Sequence, residues 1–150
     1  MNSDIASYIK NKHGLVIGEH TAEKIKMELG TALRVDDPET MDVRGRDVAT
    51  GMPKQITVNE NEIEEALHDT LEQIVSAAVN VLETIPPELA SDIIDRGIML
   101  TGGTSLLKGV DQLFSARLKV PVVVSQDPLD NVAKGAGEML ERMQKTERKK

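Results

Sequence analysis

One stretch of this 150-residue chain constrains its fold more than any other. From Asn59 onward, Ile63, Leu67, Leu71, Ile74, Ala78, Leu82 and Ile85 recur every three or four residues. That spacing lines them along one stripe of a long α-helix, and a helix with such a stripe must be covered by another layer of structure. Asn59 and Glu62 form a capping-box pair at its start: the amide oxygen can accept the Glu62 N–H, and the carboxylate can reach back to the Asn59 N–H. Pro86 and Pro87 end the helix, and Pro87 suits the first turn of a shorter one, Glu88 to Arg96. The acidic residues from Glu60 to Glu65 read as a solvated helix start.

Upstream, Ile5, Tyr8 and Ile9 share one side of a weakly helical segment, Met1 to Lys12. A helix with no strand before it to pack on is unusual for a complete domain, so the sequence reads as truncated. Gly14 and Gly18 break the chain. Thr21 is a candidate N-cap for a helix from Ala22 to Leu29, which Gly30 can close. Met41-Asp42-Val43-Arg44 and Gln55-Ile56-Thr57-Val58 then alternate apolar and polar residues. They predict a small antiparallel β-unit turning at Thr50 to Pro53.

Downstream, Ile98 to Leu100 reads as a strand running into Thr101-Gly102-Gly103-Thr104. A helix carrying Leu106, Leu107, Val110, Leu113, Phe114 and Leu118 is expected next. Val120 to Val124 reads as a buried strand with Pro121 at an edge or start. Asp127-Pro128 then resembles a helix start, with Val132 to Met143 continuing it. The order strand, helix, strand, helix, preceded by a β-unit and a long helix, predicts an α/β fold with an α+β insert.

The core must be aliphatic, because Tyr8 and Phe114 are the sole aromatic residues. A net charge of −7 argues against nucleic acid as a partner. With no cysteine there is neither a disulfide framework nor thiol chemistry. No stretch approaches the roughly 20 apolar residues of a membrane span, and Met1 to Lys12 has no apolar targeting core. A soluble intracellular protein is expected. His13, His20 and His68 lack metal-ligand spacing and are expected at the surface. Ser105 and Ser125 have no evident base, so no catalytic triad is arguable. The basic end, residues 142–150, reads as a frayed tail.

Three features could carry chemistry. Gly102 and Gly103 would let backbone approach a ligand, and the N–H groups after them could donate to it. A tight strand-to-helix turn is the simpler account of these residues taken alone, and neither a phosphate loop nor a dinucleotide fingerprint is present. Glu23 and Lys26 share a helix face, where a solvated ion pair is the simpler account. Gly135 and Gly137 flank Ala136 and permit close helix packing.

Four segments in order carry a resemblance: Ile17 to Lys26 (IGEHTAEKIK), Arg44 to Lys54 (RGRDVATGMPK), Pro86 to Gly103 (PPEL…DIIDRGIMLTGG) and Asp127 to Gly135 (DPL…VAKG). Together they resemble the MreB/Mbl family of bacterial actin-like, rod shape-determining proteins. A chaperone-type ATPase fits the second and third segments less well. The resemblance implies the C-terminal half of an actin-like ATPase fold. Residues 1–20 and 96–141 would form the RNase H-like subdomain IIA, with 21–95 an inserted α+β subdomain IIB. It implies that Gly102, Gly103 and Thr104 meet adenosine, with Leu106 and Leu107 beside the base, and that Glu23 and Lys26 close over ribose and adenine. Thr104 stands where the family usually has a third glycine.

The resemblance also implies what to expect elsewhere. The intact family binds ATP with Mg²⁺, polymerises into filaments and works with the cell-wall elongation machinery from the cytoplasm, at the membrane. Its phosphate loops, Mg²⁺-positioning acid, catalytic carboxylate and membrane-binding element would all lie upstream of this chain. No catalytic or metal-ligating residue is therefore assigned, and no ATP hydrolysis is expected of the chain alone. It would partner with copies of itself or a full-length paralogue. The alternative is a non-enzymatic module that caps or modulates such a paralogue's filaments.

Overall fold

The computed structural model describes residues 1–147. Helix α1 (Asn2–His13) ends at Gly14 and leads into the short strand β1 (Leu15–Val16) and helix α2 (Glu19–Leu29). Strands β2 (Thr40–Asp47) and β3 (Pro53–Asn59) form the expected hairpin, and β1 adds to its edge in the order β1-β2-β3, all antiparallel. The alternation works as predicted. Val43 and Val58 are buried, while Asp42, on the outer face, accepts from Gln55 Nε2 at 3.2 Å and Thr57 Oγ1 at 2.7 Å.

Helix α3 (Glu60–Thr84) carries both bonds of the capping box: Glu62 N to Asn59 Oδ1 at 3.1 Å, and Asn59 N to Glu62 Oε2 at 3.0 Å. Its first half is the spine of the core. Ile63, Leu67, Leu71 and Val75 are buried, facing a layer that includes Ile5 and Ile9 of α1, Ile25 of α2 and Phe114. Beyond Leu71 the predicted stripe is only partly covered: Ala78, Leu82 and Ile85 are half-buried. Ile74 is 39% exposed and Val75 takes the buried position, and Val81 is 59% exposed. The last turns of α3 extend past the elements that cover its start.

Helix α4 (Pro87–Arg96) begins at Pro87, as expected. Strands β4 (Ile98–Leu100) and β5 (Val122–Val124) pair in parallel, Ile98 opposite Val122, joined through helix α5 (Val110–Leu118). Strand β5 begins at Val122 rather than Val120, with Val123 exposed, and three helix boundaries also differ from expectation. Helix α2 starts at Glu19 after Gly18, so Thr21 lies inside it. The segment after Gly102 is a 3-10 turn, Gly103–Leu106, and the α-helix starts only at Val110. Asp127-Pro128 forms a turn whose Asp127 carbonyl accepts from Asp130 N at 3.2 Å, so helix α6 (Asn131–Glu147) begins later. The stretch read as a basic tail, 142–150, is helical as far as Glu147, and residues 148–150 lie outside the described residues.

The acidic start of α3 is not simply solvated. Glu60 is only 3% exposed. Its Oε1 accepts from Lys108 Nζ, and its Oε2 accepts from Glu39 N at 3.0 Å. Burial opposes its ionisation, but the Lys108 ammonium and the Glu39 amide outweigh burial and hold its carboxyl below the usual glutamate range. Glu62 is also engaged: His13 Nε2 lies 2.8 Å from its Oε1. That contact makes His13 half-buried rather than a free surface histidine.

Leu67→Ala should cost about 2–5 kcal/mol, as deletions from a packed aliphatic core do. Val81→Ala should stay within about 0.5 kcal/mol. Urea unfolding monitored by circular dichroism separates the two, and equal losses would mean the far half of α3 is covered after all. A carboxylate whose folded pKa is lowered contributes stability above its unfolded value, about 4.3, and loses it as pH falls through the folded value. Unfolding free energy should therefore fall more steeply with acidification, below about pH 5, for the parent chain than for Glu60→Gln. Parallel pH profiles would contradict the pairing.

Candidate functional site

The Gly102 turn is built by backbone demand. Gly102 has φ +83°, a conformation that suits glycine, and an added Cβ there would meet nothing within 4 Å. Ser105 then folds back, with both its N–H (3.1 Å) and its hydroxyl (2.6 Å) donating to the Gly102 carbonyl. This closes the 3-10 turn and leaves Thr104 at its edge. Gly102 N donates to Pro128 O at 2.6 Å, which ties the turn to the segment leading into α6.

Helix α2 approaches this turn from the other side. A cleft of about 430 Å³ lies between them, lined by Met1, Asn2, Ser3, Glu19, Lys26 and Thr104. The structure thus brings together two of the predicted residues, Lys26 and Thr104. Glu23 is exposed on α2 without lining the cleft, and Gly102 and Gly103 form the turn that presents Thr104. Leu106 and Leu107 part company. Leu106 is 57% exposed, whereas Leu107 is buried against the end of α2.

Sequence reading missed Glu19 and Asn2. Glu19 lies four residues before Glu23 and seven before Lys26, so all three share a face of α2. That i, i+4, i+7 spacing was available in the sequence, but the helix was expected to begin after Glu19. Asn2 enters through tertiary structure, and its Oδ1 is buried without a hydrogen-bond partner. Two other hollows, of about 380 and 570 Å³, are both flanked by Arg34 and Glu65, and none of the predicted residues lines them. No group of three or more potential ligands positioned for a metal ion occurs among the described residues. Nor is any helix among them long and apolar enough to cross a membrane.

The family model for MreB/Mbl protein matches residues 1–148. The chain belongs to the MreB/Mbl family. The cell shape-determining protein Mbl of Bacillus subtilis is 50% identical over 147 residues, which cover 98% of this chain and 44% of that protein. The cell shape-determining protein MreB of Escherichia coli is 50% identical over 137 residues, 91% of this chain and 40% of that one. The chain therefore spans less than half the length of these curated relatives. Among solved structures, MreB5 of Spiroplasma citri bound to AMPPNP superposes with a TM-score of 0.92 at 30% identity, covering 99% of this chain and 44% of that one. A MamK double helical filament matches in fold, with a TM-score of 0.74 at 18% identity over 93% of this chain and 43% of that one. The fold is actin-like, and the family's namesakes determine cell shape.

The junction of α2 with the loop after the 3-10 turn gives a direct test of the cleft's framework. A Cβ on Gly30 would sit 2.1 Å from the Lys26 carbonyl and 2.6 Å from Leu107 Cδ2. Gly30→Ala should cost about 1–3 kcal/mol through overpacking, read by thermal or urea unfolding. Unchanged stability would show that α2 and Leu107 do not pack closely at this point.

Proposed function

We propose that this chain is a part of an actin-like cytoskeletal protein that carries the adenosine side of a nucleotide cleft. The convergence of Lys26 and Thr104 on one cleft carries this reading, since they come from separate motifs 78 positions apart in sequence. The volume of about 430 Å³ suits a small ligand. The Glu19 carboxylate can accept from ribose hydroxyls, the Lys26 ammonium can donate to ring nitrogen or ribose oxygen, and the Thr104 hydroxyl can do either. Glu23 stands at the rim of the same helix face.

The same cleft suits a triphosphate poorly. Lys26 is the one side-chain cation among its lining residues, and Glu19 opposes it. Phosphoryl chemistry depends above all on preorganised donors and cations that stabilise the charge on the phosphate oxygens, and these residues do not supply them. In this reading ATP and Mg²⁺ belong to the longer family members, whose phosphate-binding and catalytic groups come from the other part of the protein. The chain alone binds nucleoside weakly and does not hydrolyse ATP.

The division into 1–20 with 96–141, and 21–95 as an insert, belongs to the same proposal, as do self-association into filaments and work with the cell-wall elongation machinery at the cytoplasmic membrane. Exposed apolar residues support an association role: Met99 of β4, Val123 of β5, Leu129, and Met139 and Leu140 of α6 are all more than half exposed. Parallel strands are ordinarily covered on both faces. The outer face of β4 and β5 therefore wants a cover, which the rest of a longer chain or a second polypeptide would provide. The latter is the filament-modulating alternative.

Titration of the purified chain with adenosine and with ATP, each with and without Mg²⁺, tests the reading. Both ligands should bind equally, near millimolar, about −4 kcal/mol, with no effect of the metal. ATP binding near micromolar, about −8 kcal/mol, and dependent on Mg²⁺ would show that phosphate ligands reside in this chain. No uptake of adenosine at millimolar concentration would remove the nucleoside reading.

A further inference from the structure

The two walls of the cleft are joined just beyond it, at Lys108. Lys26 lies four residues before Gly30, and Thr104 lies four residues before Lys108. Lys108 N donates to Gly30 O at 3.1 Å, and Lys108 O accepts from Ala32 N at 2.8 Å. Thr31 pairs with Lys108 as a one-residue parallel bridge, and its buried hydroxyl donates to Lys108 O at 3.3 Å. The backbone of one residue thus stitches the end of α2 to the loop that follows the 3-10 turn.

The side chain of Lys108 then fixes this stitch to the rest of the molecule. Its ammonium donates to Glu60 Oε1 at the start of α3 and to Glu39 Oε2 at 3.1 Å, just before β2. Glu60 and Glu39 are themselves cross-linked: Glu39 N donates to Glu60 Oε2 at 3.0 Å, and Glu60 N donates to Glu39 O at 3.1 Å. Residues 30–32, Glu39, Glu60 and Lys108 meet at this point. Glu60 is buried, but the Lys108 side chain is 52% exposed, so the pair adds only modest stability. What it adds is a defined geometry, tying Lys108 to the start of α3 and to Glu39.

We propose that Lys108 is a positioning residue, whose ties to Gly30–Ala32, Glu60 and Glu39 set the spacing between Lys26 and Thr104. This rests on the nucleoside reading for its functional meaning, but the spacing can be measured without a ligand. Apolar packing reinforces the join, because Leu107 fills the space beside Gly30. The salt bridges therefore act on a hinge already brought together, and they decide how firmly it is held.

The test uses the 150-residue chain with Lys108→Met, Lys108→Arg and Glu60→Gln, read by amide hydrogen exchange and adenosine titration. Lys108→Met should speed exchange about ten-fold, mid-range for one coupled network, in both walls: Lys26 to Ala32, and Ser105 to Lys108. Glu60→Gln should give the same pattern more weakly, and Lys108→Arg should restore protection. Amides of Ile9 and Leu67 should change by no more than the shift in global unfolding free energy measured on the same variants, and the wall amides by more. Adenosine affinity should fall with wall protection and recover in Lys108→Arg. Exchange changes confined to the neighbourhood of Glu39 and Glu60, with both walls unmoved, would overturn the proposal. So would loosened walls with unaltered adenosine affinity. If the parent chain takes up no adenosine, the nucleoside reading falls, and the exchange pattern alone decides for or against the positioning role.

Discussion

The first half of α3 is the element on which the rest of the molecule depends. Helices α1, α2 and α5 and strand β3 all meet it. What they meet is aliphatic apart from Phe114, because the chain has no tryptophan and its lone tyrosine is only half-buried at the core's edge, with its hydroxyl on Glu65. An aliphatic core gains little from any single side chain and depends on dense, continuous contact. A helix fixed at its start by a full capping box and by the buried Glu60 gives that contact a defined register. The polar groups at Asn59, Glu60 and Glu62 thus specify where the apolar stripe begins, and the stripe supplies the driving force.

The same helix shows what the sequence could and could not disclose. Its existence, its cap and its end at Pro86 follow from local rules that act within a few residues. The β2-β3 hairpin is legible for the same reason, since alternation and a glycine turn are local. Coverage is not local. The sequence cannot say that Val75 rather than Ile74 faces the core, because that choice depends on which distant elements cover the helix. Boundaries at Glu19 and Asn131 were missed because glycine and a turn, rather than a side-chain cap, precede those helices.

The candidate site was half legible. Motif resemblance named Lys26 and Thr104, and the fold places them across one cleft. It also named Leu107, which the structure uses beneath the turn, against Gly30. Adjacent residues in a 3-10 turn point in different directions, so a motif that spans Gly102 to Leu107 mixes a residue that lines the cleft with residues that hold the turn. Asn2 could not have been found, because no local pattern links the first residues of α1 to α2. Glu60 was misread for a physical reason of the same kind. A glutamate in the first turn of a helix is ordinarily solvated, and nothing near it in sequence reveals that Lys108 arrives 48 residues later.

These observations separate two roles that one fold has to combine. Helices α1 and α2 with the first half of α3 are covered and ion-paired, and they form a finished core. The β4-β5 pair and α6 are not finished in this sense, since Met99, Val123 and Met139 face outward and Cβ atoms on Gly135 or Gly137 would meet nothing within 4 Å. The cleft lies at the boundary between the two regions, with one wall on each. A ligand there would feel both the rigid side and the side that awaits a cover. Under the function proposed above, a contact that shifts the Gly102 turn would also shift Thr104, so a ligand in the cleft and a cover on the open face would act on the same short turn.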